Sequence, residues 1–110
     1  MSDLEHYDRE LYEIDEQLGR LALLAGADLS RPEVVVALIK GQYGACMRPD
    51  ALDAAHRMEL RALLLLKYKI ATECTEAFGP EECARIMAEQ DARLRLRGFT
   101  PENQTKGRKA

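Results

Sequence analysis

The chain has 110 residues, a formal net charge of −3 and three cysteines. This length predicts a single domain, and so small and odd a number of cysteines argues against a disulfide framework. The acidic N-terminus lacks the short apolar segment of a signal peptide. No apolar run approaches the length of a membrane span, about eighteen residues or more. We therefore expect a cytoplasmic protein that does not enter the membrane.

Leucine and alanine dominate the apolar residues, with 16 and 15 copies against seven of valine and isoleucine together. This balance favours helices over sheets, because unbranched side chains lose less conformational freedom in a helix. The sequence predicts an all-α fold in which residues 1–99 form an elongated four-helix bundle. Residues 100–110 are predicted to be a flexible basic tail.

The first helix is predicted from Ser2 or Asp3 to about Ala25. Its apolar residues alternate between spacings of three and four, as in a coiled-coil seam. They are Leu4, Tyr7, Leu11, Ile14, Leu18, Leu21 and Ala25. Acidic residues flank the first half of this seam, and a parallel self-pair would set acid against acid. The helix should instead pack against an element with basic flanks, or pair antiparallel.

The second helix is predicted to open at a capping box, Ser30-Arg31-Pro32-Glu33, and to end near Lys40 or Gly41. Its body, residues 34–39, is apolar on every side. We therefore expect this short helix to be deeply buried.

The third helix is predicted from Pro49 or Asp50 to Phe78, and it contains the run Leu63-Leu64-Leu65-Leu66. Four consecutive helical residues span every side of the cylinder, whereas a surface helix needs one apolar stripe. Leu63 and Leu64 are expected to face the first helix, whose acids would meet a basic border. That border consists of Arg57, Arg61, Lys67 and Lys69. Leu65 and Leu66 are then the expected contact with a second copy in a homodimer.

The fourth helix is predicted from Pro80 to about Arg97, after a break at Gly79-Pro80. Gly98 should stop it, and Phe99 is expected to fold back as the apolar partner of that cap. Its predicted apolar face consists of Cys83, Ile86, Met87, Gln90 and Leu94.

Few residues suggest chemistry. Asp3 with His6, and Asp53 with His56, have the i, i+3 spacing that metal sites in helical bundles use, but solvated residues at helix starts explain them more simply. Cys74 and Cys83 flank the Gly79-Pro80 break, so a helical hairpin could bring them together; buried core positions are the simpler interpretation. We predict no catalytic residue, no metal and no cofactor.

The two ends of the chain have opposite charge. Seven acidic residues precede position 21, whereas the C-terminal segment carries Arg93, Arg95, Arg97, Lys106, Arg108 and Lys109. Such ends can pack together, meet in a dimer or bind nucleic acid. We expect a non-enzymatic adaptor or regulator that acts by protein–protein interaction and forms a homodimer. The alternative is a nucleic-acid-associated regulator that uses the basic segment.

Overall fold

Within the described residues every regular element is a helix, and there is no strand. The computed structural model describes residues 3–42 and 52–104. The helices are α1 (Asp3–Ala25), α2 (Pro32–Ile39), α3 (Ala54–Phe78), α4 (Pro80–Leu96) and the single turn α5 (Pro101–Gln104). The predicted all-α class and the packing of four helices are confirmed.

α1 and α3 pack antiparallel and form most of the core. Near one end Tyr7 meets Phe78 edge to face, with ring centroids 6.0 Å apart. Further along, the Lys67 Nζ lies 2.7 Å from the Asp15 carboxylate. The apolar seam predicted for α1 is buried from its third turn onward, at Leu11, Ile14, Leu18, Leu21 and Ala25. Of the two expectations for the acidic helix, the structure shows packing against the element with a basic border, α3.

α4 completes a three-helix layer by running antiparallel to α3 and parallel to α1. One residue, Gly79, joins α3 to α4, and its φ of 92° is a conformation that glycine adopts readily. The residues predicted for the inner face of α4 are buried, with Met87 partly so. They are Cys83, Ile86, Met87, Gln90 and Leu94.

The capping box predicted for α2 is wrong. Asp28 accepts hydrogen bonds from the backbone N–H and the hydroxyl of Ser30. Ser30 therefore belongs to a turn that precedes the helix and does not cap it. Arg31 takes the N-cap position without a side-chain cap, and Glu33 pairs with the Arg31 guanidinium at 2.7 Å. The expected deep burial of α2 is also only partly correct, because Val36 is 50% exposed.

α3 begins at Ala54, later than predicted. Asp53 is its N-cap and accepts a 2.8 Å hydrogen bond from the backbone N–H of His56. The predicted starts, Pro49 and Asp50, lie outside the described residues. Leu52, which precedes the cap, is 4% exposed and belongs to the core. Asp50 and Asp53 are both of a residue type that caps helices well. Asp53 is the cap in the structure, and Leu52, directly before it, is buried in the core.

The end of α4 folds back onto α1. The N–H of Phe99 donates to the carbonyl of Leu94 at 3.1 Å and that of Gly98 to Arg95 at 3.0 Å, the paired bonds of a Schellman cap. The Phe99 ring lies against Gly19 of α1, as the predicted fold-back requires. The turn α5 then contacts α1. This turn was not predicted, because residues 100–104 were assigned to the flexible tail; residues 105–110 lie outside the described residues.

Candidate functional site

The leucine run of α3 divides between the core and the surface. Leu64 is 2% exposed, and Leu63 is partly buried against the same core. Leu65 and Leu66 are each 43% exposed. The run thus places one pair of leucines inside the bundle and offers the other pair to solvent.

Leu65 and Leu66 belong to a larger apolar surface that we call the exposed α3 face, made of Met58, Ala62, Leu65 and Leu66. These positions fall within about 100° of the helix circumference. Met58 is 71% exposed and Ala62 is also exposed. Arg61 and Glu73, both exposed, lie on the same helix and bring charges of both signs near it. The arrangement resembles a coiled-coil stripe that has no partner among the described residues.

The basic border predicted for α3 reaches α1 through Lys67. Its ion pair with Asp15 is largely shielded, with side-chain exposures of 24% and 14% respectively. Arg61 does not contact α1 in this way; its Nε donates to the carbonyl of Ile39 at 2.7 Å. Ile39 is the last residue of α2, and a cation at the C-terminal end of a helix complements the helix dipole. Arg57 donates to the carbonyl of Leu52 at 3.0 Å.

Arg93 of α4, predicted as part of a basic contact surface, meets an acidic residue of α1. It lies 3.3 Å from the Asp8 carboxylate and 4.7 Å from the centroid of the Tyr12 ring. The oppositely charged ends of the chain therefore pack together within one molecule at this point.

Arg97 makes the second such contact. It pairs with the Glu16 carboxylate, and it donates to the Tyr12 hydroxyl at 3.0 Å. The hydrogen bond from Arg97 lowers the pKa of Glu16 below its usual value.

Arg95 pairs along α4 with Asp91, at 2.7 Å. Of the six basic residues predicted as a contact surface, Arg93, Arg95 and Arg97 are therefore each paired with a carboxylate. Lys106, Arg108 and Lys109 lie outside the described residues. A phosphate that binds these three arginines would have to compete with the carboxylates that already pair with them. These are Asp8, Glu16 and Asp91.

Gln90 is the buried polar side chain of the core, with no exposed surface. Its Nε2 donates to the Asp8 backbone carbonyl at 2.8 Å and to the Asp8 carboxylate at 2.7 Å. Among the described residues, its Oε1 has no hydrogen-bond donor. The helical periodicity of α4 predicts Gln90 on the inner face, but the link of Gln90 to Asp8, across 82 positions, leaves no signal in the sequence.

Two grooves lie beside α4. The central groove, about 250 Å³, is lined by α1, the turn before α2, α2 itself, α3 and α4, and its lining includes the Asp15–Lys67 and Asp91–Arg95 pairs. The second groove, about 380 Å³, lies between α3 and α4 and is lined by Tyr68, Ala71, Thr72, Thr75, Glu76, Pro80, Cys83, Ala84 and Met87. Tyr68 and Met87 border both grooves. The sequence does not predict these grooves, because their existence depends on the distances between packed helices.

The hairpin of α3 and α4 brings Cys74 and Cys83 into one buried cluster with Ile86. Both thiols are free. The Cys83 Sγ lies 3.6 Å from the carbonyl of Ala71 and 3.8 Å from the Met87 Sδ. Burial, with a smaller contribution from Cys83, raises the pKa of the Cys74 thiol to about 11. The Cys74 thiol is therefore protonated at neutral pH and is a poor nucleophile.

The histidines considered as metal ligands have local partners. His56 Nδ1 lies 2.8 Å from the carboxylate of Asp53, the residue that caps α3. His6 pairs with Glu10 at 3.3 Å. Within residues 3–42 and 52–104, no three side chains of His, Cys, Asp or Glu are grouped to hold a metal ion.

Comparison of the chain with protein-family models, with curated proteins and with solved structures found no match. In the part of the chain that the structure describes, no helix combines the length and the apolar character that crossing a membrane requires. Function is therefore argued from the surfaces of this fold.

Proposed function

We propose that this protein is a small adaptor or regulator that acts by protein–protein interaction and forms a homodimer through the exposed α3 face. The observation that supports this is the position of Leu65, Leu66 and Met58, which are 43%, 43% and 71% exposed on one side of a helix whose other side is core. Their spacing is that of helices that pack against another helix.

A second copy is the simplest occupant of this face. In a two-fold dimer the same surface meets itself, and a stripe of Met, Ala and Leu is chemically complementary to its own copy. Arg61 and Glu73 carry opposite charges beside the stripe, so a second copy also supplies charges of both signs. The exposed side chains of this face lie along α3 from Met58 to Leu66 and leave that stretch open to such a partner.

The basic end of α4 gives less support to a nucleic-acid-associated role, because Arg93 and Arg97 already meet carboxylates of α1. The free thiols of Cys74 and Cys83 are consistent with the reducing cytoplasm. We therefore base the proposal on α3.

The dimer is tested by light scattering behind size-exclusion chromatography. We expect the wild-type chain to give about twice 12.4 kDa at micromolar concentration. Leu66→Glu should give the monomer mass with unchanged helical circular dichroism, because burying a charge in an apolar contact is energetically unfavourable.

The matched control is Leu96→Glu, which makes the same substitution at a leucine 90% exposed on α4. This variant should keep the wild-type mass. A wild-type monomer, or equal masses for wild type and Leu66→Glu, would overturn the proposed dimer.

A further inference from the structure

Two cysteines and a methionine lie in one cluster where α3 packs on α4. Cys74 has no exposed surface and Cys83 is 4% exposed; they form a buried cluster with Ile86, and Met87 packs against that cluster. Cys83 and Met87 are one helical turn apart on α4, and their sulfurs are 3.8 Å apart. Cys74 joins this cluster from the opposite helix, α3.

We propose that Cys74, Cys83 and Met87 form a binding site for one soft monovalent metal ion of the copper(I) class. Thiolate and thioether sulfurs together select copper(I). Metal–thiolate bonds are about 2.3 Å long, so three sulfurs around one trigonal ion lie about 4 Å apart. The Cys83–Met87 separation already matches this distance without movement of α4.

The donor set disfavours other ions. A structural zinc site takes four ligands, chiefly Cys and His, and the described residues bring no third His, Cys, Asp or Glu to these two cysteines. Hard cations such as Mg²⁺ and Ca²⁺ prefer oxygen ligands, whereas the partners that close this cluster are apolar. They are Leu4, Tyr7, Ala71, Phe78 and Ile86.

The site has an entry path. Cys83 and Met87 line the groove between α3 and α4, which opens to solvent. An ion that enters through this groove reaches two of the three sulfurs before it meets the buried Cys74.

Binding is coupled to proton release. Each cysteine that coordinates as a thiolate passes its thiol proton to the solvent, and the oxidation states of metal and sulfur do not change. Protons and the ion compete for the same sulfurs, so affinity should fall as the pH falls.

A disulfide is the competing chemistry for the two cysteines, which are both free thiols in this structure.

The test is an anaerobic titration of the reduced full chain with copper(I), in competition with a chromophoric copper(I) chelator. We expect one equivalent per chain, a thiolate-to-copper charge-transfer absorption in the ultraviolet, and weaker binding at lower pH. Cys83→Ser should abolish the charge-transfer band, and Met87→Leu should weaken binding by an order of magnitude or more with unchanged circular dichroism.

Two variants provide matched controls. Met58→Leu changes an exposed methionine of α3 and should leave the affinity unchanged, and Cys46→Ser should also retain the site. Uptake below half an equivalent, uptake unaffected by both Cys83→Ser and Met87→Leu, or binding that depends on Cys46 would each overturn the proposal. Conversion of the pair to a disulfide with no copper uptake would overturn it as well.

Discussion

At the scale of single residues, Gly19 is the position where helix propensity and packing conflict. It lies in the interior of α1, where glycine costs about 1 kcal/mol relative to alanine. A Cβ at this position would lie 2.5 Å from the Cδ1 of Phe99, which is closer than atoms can approach. The glycine therefore supplies the space into which the end of α4 folds back.

Gly19→Ala should accordingly fail to stabilise the protein. We expect it to lower the free energy of unfolding by about 1–3 kcal/mol, as overpacking typically does, measured by urea denaturation. In a Phe99→Ala background the obstacle is absent, and the same substitution should stabilise by about 1 kcal/mol. Equal effects of Gly19→Ala in both backgrounds would contradict this account.

At the scale of elements, α3 shows how a cap fixes where a helix begins. The Asp53 carboxylate accepts hydrogen bonds from the backbone N–H and the ring of His56. These bonds lower the pKa of Asp53, the backbone bond contributing most. A cap of this kind satisfies donors that the first turn of a helix leaves open.

Asp53→Ala should lower the free energy of unfolding by about 1 kcal/mol, the typical cost of losing an N-cap. Asp53→Asn should restore most of it, because an amide oxygen can still accept the His56 N–H. Thermal or urea unfolding measures both variants. Glu59→Ala, at an exposed position of the same helix, is the control and should change stability by less than about 0.5 kcal/mol; a loss at Glu59 as large as at Asp53 would contradict the assignment.

The elements also show what sequence can and cannot determine. The seam of α1, the Gly79-Pro80 break and the inner face of α4 were predictable because each is a local pattern. The capping box of α2 failed because Asp28, two residues before Ser30, competes for the same groups. The turn α5 was missed because Thr100-Pro101 is a weak signal without the contact to α1. Grooves and the three-sulfur cluster depend on distances between helices, which a sequence does not contain.

At the scale of the whole molecule, the opposite charges of the two ends hold α1 and α4 together. Arg97 lowers the pKa of Glu16 below its usual value of 4.5. A group with a lowered folded-state pKa stabilises the protein above its unfolded-state pKa, and that contribution is lost as the pH falls through the folded-state pKa.

Glu16→Gln should therefore make the protein less stable than wild type at pH 7. The difference in stability should shrink as the pH falls below the unfolded-state pKa of Glu16 and should vanish below its lowered folded-state pKa, where Glu16 is protonated in both states. Chemical denaturation across this pH range measures the difference. Glu13→Gln, at an exposed position of α1, is the matched control, and a difference between Glu16→Gln and wild type that persists unchanged at low pH would contradict the ion-pair explanation.

The parallel packing of α1 on α4 also determines the order in which the chain can assemble during synthesis. α3 and α4 are joined by one residue and can pair as soon as both have emerged. α1 is made first, yet its partners for Asp8 and Glu16, at positions 93 and 97, are made more than eighty residues later. The apolar seam of α1 can pack on α3 before that, but Asp8 and Glu16 meet their partners only after α4 has been made, and a truncation before residue 93 removes both partners.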